Sequence, residues 1–192
     1  MVNGSGAEPE YLLPQVVVDG PITLSEPDPE WAEQFLRERA RIVAALGARA
    51  LAVEHVGSTS VPGLAAKPVI DVVLVVADSA DEDAYVPDLV AAGYVLRLRE
   101  RGWYEHRLLN GLDPAVNLHV FTLGAEEVER MLAFRDLLRR DPSALLQYER
   151  TKRELAAQAW QHTQDYADAK SAVVEELLAR ALAERSRPTP LG

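Results

Sequence analysis

The sequence predicts an α/β (α+β) fold, a small mixed sheet flanked by helices with a C-terminal helical layer. Three observations predict it. A helix with clear boundary signals precedes β-branched runs separated by Gly, Ser and Pro; one run, Val69 to Val76, is apolar almost throughout; after Gly124 only helical patterns remain. At 192 residues, 48% hydrophobic and 26% charged, the chain suits one ample domain with its own core.

Each element has its own signals. Residues 1–25 are punctuated by Pro and Gly around one β-branched run, Val16-Val17-Val18, and read as a peripheral arm. Asp28-Pro29-Glu30 opens a helix with a capping residue, a proline at the first position and an early carboxylate. Trp31, Phe35, Ile42 and Leu46 share its inner face, and Gly47 stops it. Ala50 to Val56 is strand-like and breaks at Gly57-Ser58-Thr59-Ser60-Val61-Pro62-Gly63. The run Val69 to Val76 then reads as a central strand covered on both faces, with Asp71 its one charge. A short helix is expected over Asp81 to Ala92, then strands over Tyr94 to Leu98 and Glu105 to Leu109, a turn at Asn110-Gly111, and a strand over Val116 to Leu123. In that last strand Asn117, His119 and Phe121 share a face.

Three helices close the chain: one around Met131, Leu132 and Leu138, one from Asp141-Pro142 to about Gln161, and one from Asp165 to about Ala183 with Leu177, Leu178 and Leu182 inward. The expected organisation is an arm (1–25), a core (26–124), a helical extension packed on it (125–184) and a frayed tail (185–192).

Composition removes several function classes. Twenty basic against thirty acidic residues give a formal charge of −10, so no whole-molecule field draws in nucleic acid or anionic lipid. The absence of cysteine removes disulfides, thiolate nucleophiles and cysteine-ligated zinc. No apolar run approaches a membrane span and the opening residues lack a basic stretch ahead of an apolar one, so a cytoplasmic protein is expected, with no membrane partner.

The chemistry concentrates between Glu54 and Asp71. A strand ending in Gly57-Ser58 exposes backbone N–H groups, and Ser58 and Thr59 add hydroxyls, so the corner suits phosphate oxygens. Asp71 on the next strand suits Mg²⁺, or Mn²⁺, held between protein and a nucleotide's phosphates, and Lys67 would neutralise remaining phosphate charge. A carboxylate alone in an apolar strand must be compensated by metal, cation or hydrogen bonds, because burying it unpaired costs several kcal/mol. The bland alternatives are a plain turn, a solvated Lys67 and an Asp71 that only braces the loop. An ATPase phosphate loop is set aside, since no Gly-Lys-Ser/Thr follows Gly57 or Gly63.

Glu54-His55-Val56-Gly57-Ser58-Thr59-Ser60-Val61-Pro62-Gly63-Leu64 with Ala66-Lys67-Pro68-Val69-Ile70-Asp71 closely resembles the signature of the GrpB-like family, whose members look like the nucleotidyltransferase (polymerase β-like) superfamily. Gly93-Tyr94, Leu118-His119-Val120, Phe134-Arg135-Asp136, Tyr148, Lys152, Asp165-Tyr166 and Lys170 extend the likeness. The resemblance implies a nucleotidyltransferase-type core and a metal-dependent transfer of a nucleotidyl group from a nucleoside triphosphate to an acceptor. It also implies acids spaced Asp-x-Asp and a third acid on a later strand. Here Asp71 is followed by Val73, and the later strand offers Asn117 and His119.

Two routes could repair that ligand set: Glu54 and His119 completing a one-metal site with Asp71, or His55 or His119 acting as general base. For His55 the competing reading is a brace for the Gly-Ser loop. Arg135, Lys152 and Lys170 are candidates to line a phosphate cleft between sheet and helices, against ordinary ion-paired or solvated roles; His106 and His162 read as surface or packing residues. The rival class is a non-catalytic module for a nucleotide or phosphorylated small molecule, with a degenerate metal site. Some GrpB-like domains are joined to dephospho-coenzyme A kinase, which implies either a role accessory to coenzyme A metabolism or a family name inherited by association. No protein partner is indicated.

Overall fold

The computed structural model describes residues 8–14 and 17–185. Val16 and the expected tail beyond residue 185 lie outside them. Among the described residues eight strands and six helices follow in order: β1 (Glu10–Tyr11), β2 (Val17–Gly20), α1 (Glu30–Leu46), β3 (Ala52–Val56), β4 (Ile70–Val76), α2 (Val86–Ala91), β5 (Val95–Glu100), β6 (His106–Leu112), β7 (Ala115–Thr122), α3 (Glu126–Arg140), α4 (Pro142–Ala156), β8 (Trp160–His162), α5 (Thr163–Ala169) and α6 (Ser171–Arg185). The main sheet has the order β1-β5-β6-β7-β4-β3. It is mixed: β4 and β7 run parallel and the other pairs antiparallel.

The sheet carries different chemistry on its two faces because side chains alternate along a strand. Val72, Leu74 and Val76 of β4 and Leu118 and Val120 of β7 pack with Ile42 and Leu46 of α1 and Leu89 of α2 in one sealed core. On the other face Val56, Val73, Val75 and Phe121 pack beneath Val128, Met131 and Leu132 of α3. A third cluster joins α3, α4 and α6 through Leu137, Leu138, Ala144, Tyr148, Leu177 and Leu178, with Val61 and Leu64 of the β3–β4 loop inserted among them. The loop is thereby fastened to the helical layer.

Several sequence expectations shift. Asn110-Gly111 makes no turn: both lie inside β6, opposite Asn117 and Val116, and the reversal occurs at Asp113-Pro114. The β5–β6 connection uses Tyr104 and Glu105 at positive φ. Helix α4 starts where Asp141-Pro142 placed it, with the Asp141 carboxylate accepting from the N–H groups of Ser143 and Ala144, but it ends at Ala156. Trp160–His162 then pairs with β2, so the expected arm is stitched to the C-terminal layer. The last expected helix is two, α5 and α6, parted at Lys170. Among the described residues no helix is long and apolar enough to cross a membrane.

Candidate functional site

Glycine is required at the bend after β3. Gly57 has φ 67°, and a Cβ there would stand 2.2 Å from Oδ2 of Asp71. Strand pairing sets Val56 opposite Asp71, so bend and carboxylate are in contact by register. A single 3-10 turn follows over Ser58–Ser60: the Ser60 hydroxyl donates to the Gly57 carbonyl at 2.6 Å, and the Val61 N–H to that of Ser58.

Asp71 is not sealed in the core; its side chain is 27% exposed. Its β7 partner Asn117 donates to Oδ1 at 2.8 Å and accepts from Asn110 of β6 at 2.9 Å. One step along β7, His119 shares this face with Nε2 at 3.9 Å from the same Oδ1, and is 21% exposed. Behind it, His119 Nδ1 lies 3.1 Å from Nε2 of His106, whose Nδ1 lies 2.7 Å from a Glu100 carboxylate oxygen. His106 is 2% exposed, between Trp103 and Phe121, and burial holds its pKa down to about 4.

The candidate cations arrive from separate elements. Lys152 on α4 is buried; its ammonium donates to the Ala65 carbonyl at 2.5 Å and lies 5.4 Å from the centre of the Tyr148 ring one turn earlier. Burial first, and the neighbouring Lys170 second, bring its pKa down to about 7, against the pull of Glu149 and Asp71. Lys67, before β4, is also lowered by burial and by Lys170, and raised by Asp71. Lys170, between α5 and α6, is lowered by burial against Asp71 and sits 4.4 Å above the Tyr166 ring. Three ammonium groups thus act electrostatically on one carboxylate. Tyr148 is buried and electrostatically coupled to Ser58 and Asp71, and Tyr166, packed with Ile22, Ala156 and Trp160, has a buried hydroxyl with no hydrogen-bond partner among the described residues.

Other candidates sit elsewhere. His55 points from β3 to the opposite face, stacked on Phe35 of α1 with ring centres 4.6 Å apart. Its Nε2 lies 3.1 Å from the Thr59 hydroxyl, which donates to the Val69 carbonyl. Because Thr59's proton is spent on Val69, His55 is the donor, and burial lowers its pKa to about 4. His55 and Thr59 therefore brace the loop from behind. Glu54 shares the Asp71 face, but its carboxylate accepts from Arg135 at 2.9 Å. Arg135 also donates to Asp136 and to the His55 carbonyl, so its fork is largely committed. Arg139, which sequence reasoning missed, clamps the Ser60 carbonyl at 2.7 Å from the same helix face.

The resemblance implies a magnesium site, and the donor set argues against a fit. Val73, in the place of the second acid, is fully buried in an apolar cluster. Glu54 is paired with Arg135, Lys67, Lys152 and Lys170 are electrostatically coupled to Asp71, and among the described residues no three of His, Asp and Glu group as a metal site. A hard cation wants several oxygen ligands, and one carboxylate among ammonium groups does not provide them.

A mixed-sheet α/β protein with one acid and three lysines around a glycine–serine corner is the class defined so far. The chain belongs to the GrpB family: the family described as GrpB protein matches residues 21–180. A UPF0157 protein of Halalkalibacterium halodurans is 58% identical over 160 residues, covering 83% of this chain and 82% of that protein. One from Streptomyces coelicolor is 47% identical over 189 residues, covering 96% and 100%. The crystal structure of conserved protein GrpB from Enterococcus faecalis superposes with a TM-score of 0.70 at 30% identity, over 86% of this chain and all of that one.

Proposed function

We propose that the protein binds a phosphorylated small molecule, a nucleotide or nucleotide-derived ligand, with the phosphates against Gly57-Ser58 and among Lys67, Lys152 and Lys170. The observation that carries this reading is the electrostatic coupling of three lysines from separate segments to Asp71, each with its pKa lowered by burial. Partly desolvated ammonium groups favour an incoming anion, and phosphate supplies that charge. The unpartnered Tyr166 hydroxyl adds a donor. The overall charge of −10 disfavours a long polyanion as the natural ligand.

Thermal unfolding of the whole protein with ATP, GTP, CTP and dephospho-coenzyme A, each with and without Mg²⁺, tests the reading, with inorganic phosphate as control. A ligand at a hundredfold excess over its Kd is expected to raise Tm by about 5–10 °C. The rise persists without Mg²⁺ and is lost in Lys170→Ala. No response to any phosphorylated ligand would overturn the proposal.

A second reading is nucleotidyl transfer to a hydroxyl-bearing acceptor, favoured by the imidazole of His119 beside Asp71. Pyrophosphate release from a nucleoside triphosphate, dependent on an added acceptor and abolished in Asp71→Asn, is its expected signature. Ligand binding without turnover for any acceptor leaves the binding module as the function.

A further inference from the structure

Glu100 and His106 lie outside every residue assigned above, yet their hydrogen bonds decide where the proton of His119 sits. A carboxylate only accepts, so the 2.7 Å contact from Glu100 requires the proton of His106 on Nδ1. His106 is enclosed by Trp103 and Phe121 and neutral, so its Nε2 is an acceptor. The 3.1 Å contact to His119 therefore requires the proton of His119 on Nδ1. That leaves the Nε2 lone pair facing the corner, 3.9 Å from Asp71, on a ring that solvent reaches. The near-parallel His106 and His119 rings, 5.2 Å apart, and Phe121 behind them fix the orientation.

We propose that Glu100 and His106 are positioning residues that hold His119 in its Nδ1–H tautomer, presenting Nε2 as the proton acceptor for a substrate hydroxyl at the Asp71 corner. The inference rests on the transfer reading. The hydroxyl oxygen forms a bond to the α-phosphorus of a nucleoside triphosphate, the bond from that phosphorus to the bridging oxygen breaks, pyrophosphate leaves, and the hydroxyl proton passes to Nε2. Asp71 then faces the resulting imidazolium as its counter-charge. The consequence for substrate class is an alcohol-bearing acceptor.

The test needs no ligand, so its failure is separable from failure of the phosphate or transfer readings. Long-range ¹H–¹⁵N spectra of the uniformly labelled protein near pH 8, above the ordinary imidazole range of about 6.5, report each tautomer directly. His119 is expected as Nδ1–H in the wild type, as Nε2–H in His106→Phe, and again as Nδ1–H in His106→Gln, whose amide oxygen replaces the lost acceptor. Carbethoxylation followed by peptide mapping gives the second readout: His119 should react faster than His106 or His55, and severalfold slower in His106→Phe. A wild-type His119 protonated on Nε2, or one unreactive to the reagent, overturns the proposal. If His106→Phe does not fold, the wild-type spectrum still decides.

Discussion

The two faces of strands β4 and β7 divide the work of the molecule. On one face Val72, Leu74, Leu118 and Val120 are fully buried against α1 and α2. On the other, residues one position away bring Asp71, Asn117 and His119 together, with Asp71 and His119 partly exposed. Each strand therefore serves the core and the site at once, because a period of two lets neighbouring residues answer to different environments. Changes on the sealed face should cost stability and spare binding; changes on the open face should do the reverse.

The largest expected effect is on the sealed face. Leu118→Ala removes a fully buried side chain at the sheet centre and should lower unfolding free energy by about 2–5 kcal/mol in urea titration. The folded fraction should retain its nucleotide affinity in calorimetry. Affinity lost from a Leu118→Ala protein still folded would break the division.

Gly57→Ala strikes where the two functions meet. Alanine must adopt a left-handed backbone with its Cβ 2.2 Å from the Asp71 carboxylate, so about 2–4 kcal/mol of stability should go. Binding should be lost as well, because the clash is relieved only by moving Asp71 or the turn. Retained stability with normal binding would show that the bend and Asp71 are not in the contact described.

Lys152→Met should sharpen the contrast. It removes a buried charge, which favours folding, and strands the Ala65 carbonyl, which opposes it, so stability is expected to stay within about 1 kcal/mol of the wild type. Nucleotide affinity should fall about tenfold, the equivalent of one lost charge-assisted contact. A large drop in stability with unchanged affinity would make Lys152 a structural residue.

What the sequence disclosed follows the same split. Asp71 stood out because it is the one charge in an apolar strand, and Asn117 and His119 could be set on a common face by alternation alone. The same rule separates His55 from Glu54, and strand register confirms that they face opposite ways. The pairing of His106 with His119 was hidden because it depends on the β6–β7 register, and Asn110-Gly111 suggested a turn where the chain stays extended. Lys152 and Lys170 were recognisable as matches to a family, but their convergence depends on how α4 and the α5–α6 junction dock, a tertiary result no local pattern encodes. The break of the last helix at Lys170 carries no proline or glycine to announce it.

The smallest expected effect is the dependence of binding on pH. In the folded protein burial brings the pKa of Lys152 down to about 7, against the ordinary lysine value of about 10.4 in the unfolded chain. Across that window the unfolded state binds more protons, so the ligand-free protein should gain stability as pH rises. A phosphate ligand favours the protonated ammonium, so its affinity should fall over the same window and its binding should take up protons. The groups acting on Lys152 are Lys170 and Arg153, which hold its pKa down, and Glu149 and Asp71, which raise it. Calorimetry at about pH 6.5 and 8.5 in two buffers of different ionisation enthalpy reads both quantities, with a few-fold loss of affinity and net proton uptake expected. Proton release, or an affinity that rises with pH, would mean that the ligand's charge is met by groups other than Lys152.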